Sequence, residues 1–118
     1  MVQGLDADKA AQLNAGLARV RERFILSLSD RIDALYELLR ELQDQEAWPD
    51  ACADIRADAH KLHGICGSVG FPEIGASAAR LEQEIDALGA ELSQKDIDLV
   101  RRFLNRLLDE MEQNLDAA

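Results

Sequence analysis

The segment His60–Gly64 holds the grouping of side chains in this sequence that is best suited to chemistry. It contains two histidines, a lysine and a glycine, and Gly67 follows one helical turn later. The surrounding residues repeat with helical periodicity, and a glycine inside a helix costs about 1 kcal/mol relative to alanine. Two such glycines beside His60 indicate that bare backbone is needed there. We therefore predict that another protein approaches this imidazole closely.

Helical geometry places these residues on one outward ridge. At 100° per residue, His60 shares a face with Arg56, His63, Gly64 and Gly67, which lie one or two turns away from it. For the two glycines, close packing of a neighbouring helix against bare backbone is the alternative explanation. For Arg56 and His63, the alternative is an ordinary solvated side chain.

The chemistry that fits this ridge is phosphoryl relay. Histidine has an ordinary pKa of about 6.5, so a neutral and nucleophilic imidazole is present at pH 7. Covalent catalysis by histidine is established chemistry. A phosphoryl group on the ring would carry close to two negative charges, which Arg56, Lys61 or a protonated His63 could stabilise. We therefore predict that His60 is the phosphoryl acceptor, with Lys61 and His63 adjusting the charge around it.

Four segments with helical periodicity must position this ridge. The first runs from about Asn14 to Gln45. The stretch Asp6–Ala15 is predicted as a separate short helix with Gly16 as the joint, and one continuous helix is the alternative. Pro49 suits the first turn of the second helix, which runs to about Val69.

Two further breaks delimit the third and fourth helices. Gly70 can end the second helix in a left-handed conformation, and Pro72 can start the third, which Gly89 ends. Ser93 and Asp96 resemble a capping box that opens the fourth helix.

The pattern of segments predicts an all-α fold. We expect an up-down antiparallel four-helix bundle with an additional short N-terminal helix. Residues 1–118 are expected to form one domain, with the bundle core over about residues 17–115. No segment alternates with period two, so no sheet is expected.

Composition limits the class of protein further. A net charge of −10 over 118 residues disfavours nucleic acid as a partner. No apolar run is long enough for a membrane span and no signal peptide is evident, so we expect a cytoplasmic monomer. Cys52 and Cys66 lie on one predicted helix, roughly 21 Å apart at 1.5 Å per residue, which is too far for a disulfide.

The motif H-K-L-H-G at residues 60–64, with Gly70 ten residues after His60, resembles the signature of histidine-containing phosphotransfer (HPt) domains. That signature is His-x-Leu-Lys-Gly with a later glycine at this spacing, and the helix order and chain length also fit. The resemblance implies that His60 reversibly accepts a phosphoryl group from a receiver-domain aspartyl phosphate. It then passes the group to another receiver aspartate.

The resemblance also implies the partners, which are response-regulator receiver domains and a hybrid sensor kinase. The receiver supplies Mg²⁺, and the HPt domain itself binds no cofactor and has no autonomous kinase activity. Receiver domains of this family's relays dock on apolar surface beside the histidine. Here we expect Arg56, Gly64, Gly67 and Phe71 to contact the partner, and for Phe71 a place in the core at the end of the bundle is the alternative. The family usually has lysine where this chain has His63, so a positive charge at this position depends on pH.

Two alternative functions stay open at this stage. One is a regulatory module that docks receiver domains without carrying phosphate, which the intact His60 disfavours. The other is the phosphotransfer domain of a larger hybrid or chemotaxis-type kinase. A metal site is disfavoured, because His60 and His63 have chelating spacing but no third ligand on their ridge. Hydrolysis by Ser68 is disfavoured too, because no nucleophile elbow surrounds it.

Overall fold

The computed structural model describes residues 2–117, and the side chains of residues 7–115. Within that part of the chain the fold is an all-α helical bundle, as predicted. The helices are α1 (Val2–Glu41), α2 (Trp48–Val69), α3 (Pro72–Asp86) and α4 (Gln94–Ala117), and a 3₁₀ turn at Gln45–Ala47 precedes α2. None of these helices, over the described residues, is long and apolar enough to cross a membrane.

Helix α1 is continuous, so the predicted separate N-terminal helix is wrong. Gly16 lies inside α1, and a β-carbon there would meet nothing within 4 Å. A single glycine weakens a helix by about 1 kcal/mol but keeps its backbone hydrogen bond, whereas a proline would remove one. Phe24 is the first described residue of α1 that is buried. The N-terminal part of α1 therefore lies outside the core.

The break between α2 and α3 forms as the sequence predicts. Gly70 adopts a left-handed conformation, with φ of 85°, and its N–H donates to the Cys66 carbonyl at 3.2 Å. A side chain with a β-carbon is strained in that region, so glycine is the suitable residue. Pro72 then begins α3, and Pro49 lies in the first turn of α2. All three boundary predictions are confirmed.

The break between α3 and α4 differs from its prediction at one end. Helix α3 ends at Asp86, so Gly89 lies in the connection and does not cap the helix. Helix α4 opens with the predicted reciprocal bonds. The Ser93 N–H donates to Asp96 Oδ2 at 3.0 Å, and the Asp96 N–H donates to Ser93 Oγ at 3.2 Å.

Apolar side chains from the four helices close one core. The predicted stripe of α2 is buried at every position: Cys52, Ile55, Ala59, Leu62, Cys66 and Val69. Both cysteines are free thiols, as expected from their separation. Burial raises the pKa of the Cys66 thiol to about 11, so a reactive thiolate is disfavoured.

Contacts at both ends of α2 show that it runs antiparallel to α1. The indole N–H of Trp48 donates to the Leu42 carbonyl at 2.7 Å, where α1 gives way to α2. At the far end of α2, the ring centroids of Phe24 and Phe71 lie 5.1 Å apart. The same arrangement holds for α2 and α3, which are joined by a short turn and paired along their length.

Phe71 belongs to the core, so the prediction that it is an exposed docking residue is wrong. Its side chain is only 8% exposed and packs against Phe24. The guanidinium of Arg21 covers the ring at 4.8 Å from its centroid. The turn between α2 and α3 lies at the end of the bundle, where an aromatic ring is needed to close the core against α1.

We expect Phe71→Ala to lower the free energy of unfolding by about 3 kcal/mol, because a buried aromatic ring and its partner contact are removed. Urea denaturation measures this change. The control is Leu26→Ala, which removes a side chain 75% exposed on α1 and should alter stability by less than about 0.5 kcal/mol. Equal effects of the two substitutions would contradict the placement of Phe71 in the core.

Candidate functional site

His60 projects from the middle of α2, with its side chain 69% exposed. Its Nδ1 lies 2.7 Å from Oε2 of Glu82 on α3. An ionised carboxylate can only accept a hydrogen bond, so a neutral ring must donate its Nδ1–H to Glu82. The lone pair of that neutral ring is then on Nε2, which makes no hydrogen bond within the described residues. The geometry thus leaves the outer nitrogen of His60 available for chemistry.

Glu82 is the most enclosed charged group of the site, with its side chain 14% exposed. The same Oε2 that binds His60 also lies 3.7 Å from Nη2 of Arg56. A carboxylate with little access to water is held in one position by these two partners. Glu82 therefore lies between the imidazole of His60 and the guanidinium of Arg56, and most of its side chain is shielded from solvent.

Arg56, one turn before His60, is bound to α3. Its Nε and Nη2 both donate to the carboxylate of Asp86, the second at 3.4 Å. The hydrogen bond from Arg56 lowers the pKa of Asp86, and the bond to Asp86 raises the pKa of Arg56. Both side chains are about half exposed, so the pair adds little to stability. Its structural effect is to fix the guanidinium beside Glu82.

Lys61 and His63 are both exposed on α2 beside His60. Within the described residues, neither makes a hydrogen bond or ion pair. His63 lines a shallow depression on the α3 side, together with Gly67 and Pro72. Both cationic groups are therefore near His60 on the same helix, but their predicted roles toward a phosphoryl group stay predictions.

Gly64 and Gly67 face open space. A β-carbon built at either position would meet nothing within 4 Å, so packing of a neighbouring helix does not explain them. Gly75 on α3 is the contrast, because a β-carbon there would lie 3.2 Å from Cys66 Cβ. The close approach of α2 and α3 thus accounts for Gly75, but nothing within the described residues accounts for the two glycines beside His60 in the same way.

Small exposed residues extend this bare surface along α2. Ala57 and Ala53 precede His60 by one and two turns, and Ser68 follows it by two. We call the exposed surface of these three residues with Gly64 and Gly67 the flat strip. Sequence analysis missed its alanines, because alanine is the commonest choice in any helix. Because the residues of the flat strip have small side chains or none, the side chain of His60 extends beyond them.

A groove between α1 and α2 runs beside the flat strip. It is lined by Val20, Arg23, Phe24, Ser27, Arg31 and Ile65. Val20 is 45% exposed, and Ile65 follows Gly64 directly in α2. This groove, unlike the ring of Phe71, offers exposed apolar surface on the α1 side of α2.

The described residues contain no group of three or more histidine, cysteine, aspartate or glutamate side chains placed to hold a metal ion. His60 and His63 have chelating spacing, but the nearest carboxylate, Glu82, is already bound to His60 and Arg56. The side chains of this site are arranged around a hydrogen-bonded imidazole.

Comparison with known families gives one match. A family model described as Hpt domain matches residues 19–118, a range that includes every site residue described above. The resemblance inferred from the motif at residues 60–64 is thereby confirmed. No curated protein and no solved structure matched the sequence. The N-terminal part of α1, residues 2–18, lies outside the family match.

We expect Gly64→Ala and Gly67→Ala each to raise the free energy of unfolding by about 0.5–1 kcal/mol, because alanine favours the helix and meets open space. Urea denaturation measures the gain. Gly75→Ala is the matched control, and it should gain less stability than the other two, because its β-carbon crowds Cys66. Loss of stability in the first two variants would show that these glycines serve the fold.

Proposed function

The chain belongs to the Hpt domain family, whose members are phosphotransfer-relay modules of two-component signalling, and on that premise we propose that His60 carries the phosphoryl group. His60 receives it from the aspartyl phosphate of one receiver domain and passes it to the aspartate of another. The observation that carries this proposal is the exposed imidazole whose Nδ1 is bound by Glu82, which leaves Nε2 as the free nucleophile.

The transfer is a displacement at phosphorus. Nε2 of His60 forms a bond to phosphorus while the bond from phosphorus to the aspartyl oxygen breaks, and the electron pair of that bond stays on the aspartate. The reverse reaction regenerates the free imidazole. As Nε2 bonds to phosphorus the ring becomes positively charged, and the carboxylate of Glu82 beside Nδ1 stabilises that charge. Glu82 is thus a positioning residue that also compensates charge.

The flat strip fits the approach that this reaction needs. Reacting atoms must come within about 3–3.5 Å, so the surface of the receiver has to meet α2 closely around His60. Gly64 and Gly67 have no side chains that would hold the receiver away. In this reading the destabilising glycines are retained for intermolecular contact, and the receiver brings its own Mg²⁺.

Charge near Nε2 comes from Lys61 and His63. A phosphoryl group on histidine adds close to two negative charges to a chain whose net charge is already −10. Lys61 provides a permanent cation without an acidic partner in the described residues, and His63 provides one when protonated. Arg56 is less available, because Asp86 and Glu82 hold its guanidinium.

The groove between α1 and α2 is the proposed docking surface for the receiver. Its exposed apolar part, Val20 with Ile65, lies next to the flat strip, and Arg23 and Arg31 border it. Hpt domains generally interact with receiver domains of response regulators. A hybrid sensor kinase is the proposed upstream source of phosphate, through its own receiver domain.

Incubation with a phosphorylated receiver domain tests the carrier role. We expect acid-labile, base-stable radiolabel on the wild-type chain and none on His60→Gln. His63→Gln is the matched control, because it removes the neighbouring imidazole and should still accept label. A wild-type chain that takes no label from any receiver of its organism, yet binds them, would support the alternative of a docking module without phosphate.

A bulky side chain at Gly64 tests whether this position contacts the receiver, separately from any effect on the stability of the fold. We expect Gly64→Leu to slow phosphoryl transfer about tenfold or more, because it holds the receiver away from His60, while the fold is kept. Gly16→Leu is the control, since Gly16 also lies inside a helix and faces open space but is remote from His60. Rapid-quench kinetics measure both rates, and equal rates would remove Gly64 from the docking surface.

A further inference from the structure

Three charged side chains next to His60 form a connected series of contacts between α2 and α3. Asp86 binds Arg56, Arg56 lies 3.7 Å from Glu82, and Glu82 binds Nδ1 of His60 at 2.7 Å. Arg56 and His60 are one turn apart on α2, and Glu82 and Asp86 are one turn apart on α3. The two rows of side chains therefore face each other across the helix pair.

Arg56 is shared between two carboxylates. Its hydrogen bonds go to Asp86, and its distance of 3.7 Å from Glu82 is that of a looser ion pair. Nη2 of Arg56 and Nδ1 of His60 are separated by at most the sum of two contacts, 3.7 Å and 2.7 Å. A charge at that distance, on a half-exposed surface, still affects a neighbouring titratable group.

The charged groups around His60 can be named from each element. Helix α3 contributes Glu82 and Asp86, and α2 contributes Arg56, Lys61 and His63. No hydrogen bond or ion pair within the described residues joins His60 to α1 or α4. The balance between one bound carboxylate and one partly neutralised guanidinium therefore dominates the local field.

We propose that Arg56 and Asp86 are positioning residues that set how strongly the Glu82 carboxylate acts on His60. Arg56 offsets part of the negative charge of Glu82, and Asp86 limits that offset by drawing the guanidinium toward itself. The three side chains thus form one connected set of contacts that ends at Nδ1 of His60. This inference rests on the proposed function of His60 as the phosphoryl carrier, and it assigns to Arg56 a role other than partner contact.

Two substitutions should act in opposite directions. Arg56→Gln leaves the charge of Glu82 uncompensated, which favours imidazolium, so the neutral nucleophile appears only at higher pH. Asp86→Asn releases Arg56 toward Glu82 and removes one negative charge, which disfavours imidazolium, so the nucleophile appears at lower pH. We expect the acid limb of the pH–rate profile to move by about 0.5 pH unit in each case.

The experiment measures phosphoryl transfer from a phosphorylated receiver between pH 5 and 9 for the wild type and the two variants. In parallel, NMR follows the ring ¹⁵N and Cε1–H signals of His60 against pH in the unphosphorylated protein. The NMR measurement needs no phosphoryl transfer, so it tests the effect of Arg56 and Asp86 on His60 even if the proposed function fails. Salt at about 1 M should reduce both shifts, because the groups are exposed and the Debye length falls to about 3 Å.

Two comparisons separate this inference from simpler ones. Arg40→Gln, which breaks the exposed ion pair of Arg40 with Glu37 at the far end of α1, should leave the profile unchanged. In the Arg56→Gln background, Asp86→Asn should have a smaller effect than alone, because only its direct charge effect on His60 is left and its action through Arg56 is lost. Shifts in the same direction, or none in either arm, would overturn the proposal. Weaker receiver binding by Arg56→Gln with an unmoved profile would instead make Arg56 a docking residue.

Discussion

The hydrogen bond between Nδ1 of His60 and Glu82 fixes which nitrogen of the neutral imidazole stays free, and the pairing of α2 with α3 brings the two side chains together. A neutral imidazole has one protonated and one free nitrogen, and an ionised carboxylate fixes which is which by accepting a hydrogen bond from the protonated one. Glu82 lies on α3 with its side chain 14% exposed, and His60 lies on α2 with its side chain 69% exposed. The largely buried Glu82 thus orients the exposed His60. This arrangement requires α2 and α3 to stay in one fixed register.

Where α2 and α3 approach each other lies a glycine whose surroundings differ from those of the glycines beside His60. Gly75 lets α3 approach α2 so closely that a β-carbon would lie 3.2 Å from Cys66 Cβ. Gly64 and Gly67 face open space, and they weaken α2 without improving any contact within the chain. The same residue type therefore relieves crowding between helices at one position, and at the other two it is proposed to leave room for an approaching partner.

Much of the fold could be predicted from spacing, because spacing determines which face of a helix is buried. The stripe of α2, the left-handed Gly70 and the capping pair of α4 each follow from local rules that need no knowledge of the neighbouring helices. Gly16 was misjudged, because a glycine inside a helix of good helix formers does not divide it. Phe71 was misjudged as well, because sequence cannot distinguish an exposed aromatic residue from one that closes the end of a core.

The site was predictable on α2 and unpredictable on α3. The ridge around His60 follows from helical geometry, whereas Glu82 and Asp86 are two acids among many in a strongly acidic chain. Their importance comes from the pairing of α2 with α3, which the sequence does not specify. Antiparallel helices with Gly75 opposite Cys66 would have placed the region of Glu82 opposite His60, but that pairing itself is a tertiary fact.

The central claim is that Glu82 holds Nδ1 and leaves Nε2 of His60 to carry the phosphoryl group. The most direct test is ¹⁵N NMR of the phosphorylated, ¹⁵N-labelled protein, in which coupling to phosphorus and the ring nitrogen shifts identify the phosphorylated nitrogen. The account requires phosphorus on Nε2 of His60, with Nδ1 still protonated and bonded to Glu82. Phosphorus on Nδ1, or on His63, would contradict it.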